Sequence, residues 1–470
     1  MRIAAGFAVA GALVGAVLPV SAQRPPQRCN IQETNVDHNW QQLEPFGTNK
    51  IEYFGGNVRF ACLNRNVHLS ADSVEAINEE VWHFYAGHGR RARYVDSAYT
   101  VDADTLIYTK KDEQVLAIGN ALVTDLAAGS TLRGPHLQYF RAVEGVRNTA
   151  ITIALAQGTD RPVVHYFPKD TARTAAKGAP RPSPYLLVAD QMHGFGQSQF
   201  WGKGNVTIDR DSLRGRGDSV TFASGQTGTA QLFGTPAVMR RVGADSFMVA
   251  GKEVRLGLDG DHLRDVRAYG KGHVTHSGSE IVADSVALEF TAEKLSLTLA
   301  WDRKDTARVH NGGFDTRGDS VVIDSPGELL HEVRVFGNGL MQSPRDTTAA
   351  RTPAGPDSAG TGLPDRNELW GERIVASFAQ ADSAGTQVTR VRQIRAAGTA
   401  RSFSTDPINY TRADTVVVTM KRGDSTGVSA VRAWGHMDGV LAQKATTRSD
   451  SSRADSAKAL AKPPRKVHHP

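Results

Sequence analysis

Two short phrases alternate along most of this 470-residue chain, and their spacing restricts it to a fold built of β-strands. The first phrase is a small residue, Asp, Ser or Thr, then an apolar residue. It reads Ala71-Asp72-Ser73-Val74, Ala103-Asp104-Thr105-Leu106, Gly217-Asp218-Ser219-Val220, Ala244-Asp245-Ser246-Phe247, Ala283-Asp284-Ser285-Val286, Gly318-Asp319-Ser320-Val321 and Ala413-Asp414-Thr415-Val416. The second is apolar-x-apolar-x-Gly, as in Val115–Gly119, Val266–Gly270, Val333–Gly337, Ile394–Gly398 and Val431–Gly435. From Asp104 to Gly119 is 15 residues, from Asp319 to Gly337 is 18, and from Asp414 to Gly435 is 21. Each interval holds a strand, a turn and a returning strand, which is a β-hairpin with a variable tip.

Runs such as Val286–Phe290, Val321–Ile323 and Val416–Met420 are rich in β-branched and apolar residues, and residues two apart share one face of a strand, the pattern read here as a half-buried strand. Gly, Asp, Asn and Ser separate them. The expected fold is all-β: stacked antiparallel hairpins, each burying one face on its neighbours. Asp before Ser or Thr suits a strand start, since it bonds nearby backbone N–H groups as the chain turns in. Glycine closing the second phrase suits a bend or a close backbone approach. Residues 168–184 and 344–366 are Pro-, Ala- and Thr-rich and apolar-poor, and residues 443–470 form a basic tail, so all three are expected to be disordered. They mark off a first module at 24–167, a second at 185–343 and a short third at 367–442.

The first 22 residues carry one Arg, an apolar run and then Leu-Pro-Val-Ser-Ala, the layout of a secretory signal cut after Ala22. No later window resembles a membrane helix, so the mature chain is expected to be exported, without a transmembrane segment. Export bears on the only two cysteines, Cys29 and Cys62, which are expected to form a disulfide, with two free thiols as the alternative. The formal charge of +6 comes mainly from scattered Arg. That favours anionic partners in general and selects none.

Catalytic signatures are missing: there is no G-x-S-x-G, H-E-x-x-H, Walker A or C-x-x-C. Apart from His468-His469 in the tail the histidines are spread singly, so neither a metal nor another cofactor is expected, and nothing suggests nucleic-acid binding. Tyr269, Phe336 and Trp434 point to the face opposite the small apolar positions beside them. They read either as cross-strand pairs or as the lining of an apolar trough. Arg267, Arg334, Arg395 and Arg432 share that face, as a solvated ladder or as a phosphate-binding row.

The Gly-Asn-Val-type phrases "GGNVRF" (55–60), "IGNALV" (118–123), "GKGNVTI" (202–208) and "YGKGHV" (269–274) alternate with the Asp-Ser phrases. In this the chain resembles the organic-solvent-tolerance (OstA-like) family of lipopolysaccharide-transport β-jellyroll proteins, over most of residues 50–442. The resemblance implies an elongated, twisted, open jellyroll in the periplasm that shelters acyl chains of lipopolysaccharide and joins other jellyroll transport proteins by edge-strand pairing. It implies no catalytic residues, so the chain is expected not to be an enzyme. The inward apolar positions Val286, Leu288, Val321, Ile323, Val335, Val416 and Val418 then become the candidate lipid-binding residues. A structural or adhesive surface β-repeat is the alternative, with a polysaccharide-active enzyme behind it. The tetrapeptide Arg-Gly-Asp-Ser occurs at 216–219, 317–320 and 422–425. Two copies occupy the first phrase and one a hairpin tip, so they mark the repeat and are not one adhesion motif.

Overall fold

The computed structural model describes residues 29–43, 49–167, 183–223, 228–243, 246–259, 262–311, 314–343, 366–383, 386–405, 408–421 and 428–441. Among them are thirty strands and one short 3-10 turn, Pro326–Glu328. Every described strand pairing is antiparallel. The all-β expectation therefore holds. The signal segment, the tail and the third Arg-Gly-Asp-Ser copy lie outside the described residues, as do nearly all of the two Pro-rich stretches.

The chain divides into two compact units. The first comprises 1–207 with 221–225, and the second 208–220 with 226–470. Strand Glu368–Ser383 pairs along Glu332–Gln342, so the expected third module continues the second unit.

Long strands bend at their midpoints, and the two sequence phrases are the two sides of each bend. In strand Gln114–Asp125 the first half pairs with Thr105–Thr109 and the second half with Tyr99–Ala103. Between the halves stand Gly119 and Asn120, both left-handed, with φ of 77° and 46°. The same two-residue kink recurs at Gly56-Asn57, Gly204-Asn205, Gly270-Lys271, Gly337-Asn338 and Gly398-Thr399. Register shifts fall on several of these kinks, as expected of β-bulges.

The Asp of the first phrase sits opposite. Asp104 donates its N–H to the Gly119 carbonyl (2.9 Å), and the Asn120 Nδ2 donates to the Asp104 carboxylate (2.9 Å). Asp190 and Asn205 repeat the side-chain bond at 2.8 Å. Asp104 and Asp319 stand directly before strand starts, at Thr105–Thr109 and Ser320–Asp324, so the strand-start expectation holds for part of the repeat. Asp72, Asp218, Asp284 and Asp414 all lie inside continuous strands. At Asp104 and Asp190 the carboxylate secures a bulge one strand away, because two consecutive left-handed residues leave groups that the regular ladder does not pair. The Asp284 carboxylate instead accepts from the hydroxyl of its neighbour Ser285 at 3.1 Å.

Glycine is required at the kink for a second reason besides its φ. At Gly337 (φ 69°) a Cβ would overlap the Asp319 carboxylate. Gly337→Ala should cost about 2 kcal/mol or more, combining left-handed strain with displacement of Asp319. Urea unfolding of the full chain checks this, and a variant as stable as the parent would contradict it. Asn338→Gly, which keeps the backbone conformation accessible, should be close to neutral.

Each bent strand contributes to two walls whose side chains meet in a core. In the first unit Phe54 and Phe60 lie on either side of one bend and stack edge-on at 5.1 Å, with Trp82 5.0 Å from Phe60. In the second unit Phe247 and Phe290 meet at 5.4 Å. Gly318 leaves space that the Val335 Cγ1 fills. The Gly of the second Arg-Gly-Asp-Ser copy is thus a packing residue. Its Asp319 donates its N–H to the Gly337 carbonyl at 3.0 Å.

Candidate apolar site and buried polar cluster

Strand register brings the seven candidate residues of the second unit onto one face, in two adjacent rows. The first row runs Leu232, Val254, Ala268, Val286, Ala300, Val321, Val335, Ile374, Ala396, Val416 and Ala433, each directly opposite the next. The second runs Leu256, Val266, Leu288, Thr298, Ile323, Val333, Ala376, Ile394, Val418 and Val431 in the same way. Sequence reading found Val286, Val321, Val335 and Val416 in the first row and Leu288, Ile323 and Val418 in the second. It missed the alanines and Ile374, whose membership appears only once the register is known.

Exposure changes along the rows. Val286, Leu288, Val321, Val335 and Val416 are buried, whereas Ile323 and Val418 are half-buried. At the last strand, Val428–Trp434, Val431 is 50% exposed. The face is therefore a packed core at its centre and an accessible apolar surface toward the C-terminal strands. Tyr269 and Phe336 lie outside it: Arg255 stacks over Tyr269 at 5.0 Å and Arg373 over Phe336 at 5.6 Å. These aromatics form outward cross-strand pairs and do not line a trough.

The first unit holds a different chemistry. Glu113 is buried and accepts hydrogen bonds from the Tyr108 hydroxyl (2.9 Å) and the Cys29 N–H (3.1 Å), with the Arg141 guanidinium 2.9 Å away. Asp96, also buried, accepts from Tyr94 (3.2 Å) and Tyr139 (2.6 Å). Cys29 and Cys62 are bridged, which fixes the chain's first described residue beside this cluster. These residues are far apart in sequence and fit no motif, so nothing in the sequence signalled the cluster. A cleft of about 90 Å³ in the same unit is lined by apolar residues including Val123, Leu132, Val164 and Met192. At its edge Gln197 donates to the buried Asp125 (2.9 Å).

Burial pushes the hydroxyls of Tyr94, Tyr108 and Tyr139 well above the ordinary tyrosine range, and the adjacent carboxylates add to the shift. The folded unit therefore keeps protons that the unfolded chain releases above about pH 10. This stabilisation is complete below that pH and is lost as pH rises above it. Alkaline titration followed by circular dichroism should show the first unit unfolding above pH 10, with Tyr139→Phe moving the midpoint upward; an unmoved midpoint would contradict this.

Among the described residues no helix is long and apolar enough to cross a membrane. No family model matches the chain, and no curated protein matches it. Among solved structures, it is similar to LptH from Pseudomonas aeruginosa, the LptA-homologous periplasmic component of the lipopolysaccharide transport device. The two share 16% identity, with a TM-score of 0.22, over 26% of this chain and 83% of LptH.

Proposed function

We propose that the chain is a non-enzymatic periplasmic carrier that shelters acyl chains of lipopolysaccharide on the inner face of its second unit. The carrying observation is the pair of apolar rows, continuous across successive strands and increasingly accessible from Val418 to Val431. The resemblance of the Asp-Ser and Gly-Asn phrases to lipopolysaccharide-transport jellyrolls supports the same reading. The physics needs no covalent step, because each buried methylene contributes about 0.8 kcal/mol. A chain laid along the rows is held by area alone while its sugars and phosphates stay in water.

Entry is at the accessible end, at Ile394, Val418 and Val431, rather than at the closed centre around Val286. The last described strand, Asp438–Leu441, pairs only with Ile408–Met420 among the described residues. Its other edge is the surface on which another jellyroll protein of the transport chain adds a strand. In this reading residues 1–22 direct export and are removed after Ala22.

Titrating purified protein with lipopolysaccharide tests the site. Val418→Asp, which places a charge on the acyl path, should weaken binding at least about tenfold, while Val282→Asp, on the outward side and outside the apolar rows, should not. Equal binding by both variants would remove the inner face from the reading.

A further inference from the structure

The outer face of the second unit carries a regular pattern that acyl-chain carriage does not use. Val322, Arg334, Val375, Arg395, Val417 and Arg432 stand directly opposite one another across successive strands, valine and arginine in strict alternation. Adjacent strands lie about 4.8 Å apart, so the arginines repeat roughly every 10 Å. Arg334 is 3.4 Å from Glu332, whereas Arg395 and Arg432 have no ion-pair partner among the described residues. Val417 is only 8% exposed although it faces away from the apolar rows, as expected if the arginine stems on either side lie over it. In the neighbouring row Arg373 stands two strands before Thr415, which faces Trp434. Trp434 is 49% exposed, and beyond it Met437 and Val440 are 65% and 68% exposed.

We propose that this face docks on a lipid surface bearing anionic phosphate head groups. A single bound anion calls for donors gathered at one point, whereas these arginines recur at every second strand and match a two-dimensional array of negative charge. The large apolar side chains at the same end select between a bilayer and a soluble polyanion. Trp434, Met437 and Val440 gain nothing from a dissolved polymer, whereas tryptophan and apolar side chains beside arginine are the anchors of an interfacial segment. The proposal is independent of what the inner face carries.

The test is co-sedimentation of the full chain with phosphatidylcholine vesicles, with and without phosphatidylglycerol, at low and high salt. Binding is expected only to the phosphatidylglycerol vesicles, and should weaken with salt. Arg395→Gln with Arg432→Gln should weaken it about 30-fold, from roughly fivefold per arginine near an anionic surface. Trp434→Ala should weaken it further. Both variants change exposed residues, so their thermal midpoints should match the parent's, separating lost docking from lost folding. The proposal is overturned if the chain ignores anionic vesicles, binds neutral ones equally, or binds soluble polyphosphate but no vesicle.

Discussion

Glu113→Ala should cost the first unit about 3–5 kcal/mol, because it leaves the Arg141 guanidinium buried without its counter-charge. The side chains of Glu113 and Arg141 are 5% and 11% exposed, so water cannot replace the lost carboxylate at either partner. The same change strips the Tyr108 hydroxyl and the Cys29 N–H of their acceptor. Each such orphaned group adds about 1–3 kcal/mol where no water reaches it, so the upper end of the range is expected. Glu113→Leu combined with Arg141→Met removes both charges and should recover most of the loss, since an apolar replacement of a buried pair is often neutral. Denaturant unfolding of the four proteins in this cycle measures the coupling directly. A single-variant loss below 1 kcal/mol would show that solvent reaches the pair.

Cys62→Ser should cost about 4 kcal/mol by the chain-entropy account, since the bridge closes a loop between residues 33 apart. Local consequences follow from the pairing. Strand Ile31–Asn35 is held through Ile31 opposite Cys62 and by the short ladder to Arg59. Without the bridge that strand should lose hydrogen-exchange protection before the rest of the first unit does. Because the Cys29 N–H donates to Glu113, the two substitutions share a partner and should not be additive. Strict additivity of Glu113→Ala and Cys62→Ser would mean that the bridge and the buried charge act separately.

What the sequence could reveal followed the range of each interaction. Strand type and hairpin order were legible because Val-x-Val alternation and Gly-Asp turns are local. The pairing of Asp104 with Gly119 and Asn120 was visible as a rhythm, yet its meaning was not. A carboxylate capping a bulge one strand away looks, in one dimension, like two unrelated phrases. The apolar rows were legible in part. Val286, Val321 and Val416 stand out by type, whereas Ala268, Ala300 and Ala396 acquire a role only through register. The buried cluster of Glu113, Arg141, Tyr108 and Asp96 was invisible, since it is assembled from separate strands and turns whose residues are individually unremarked. Whether the composition breaks separate modules or interrupt one stack was not legible, because strand pairing across them, as between Glu332–Gln342 and Glu368–Ser383, is set by register and not by composition.

The central claim is that the inner face of the second unit carries acyl chains, and photo-crosslinking in cells tests it most directly. A photoreactive residue at Ile394, Val418 or Val431 should capture lipopolysaccharide, while one at Val282, exposed on the outward side and outside the arginine row, should not. Capture that ignores which face bears the crosslinker, or none at the three inward positions, would contradict the account.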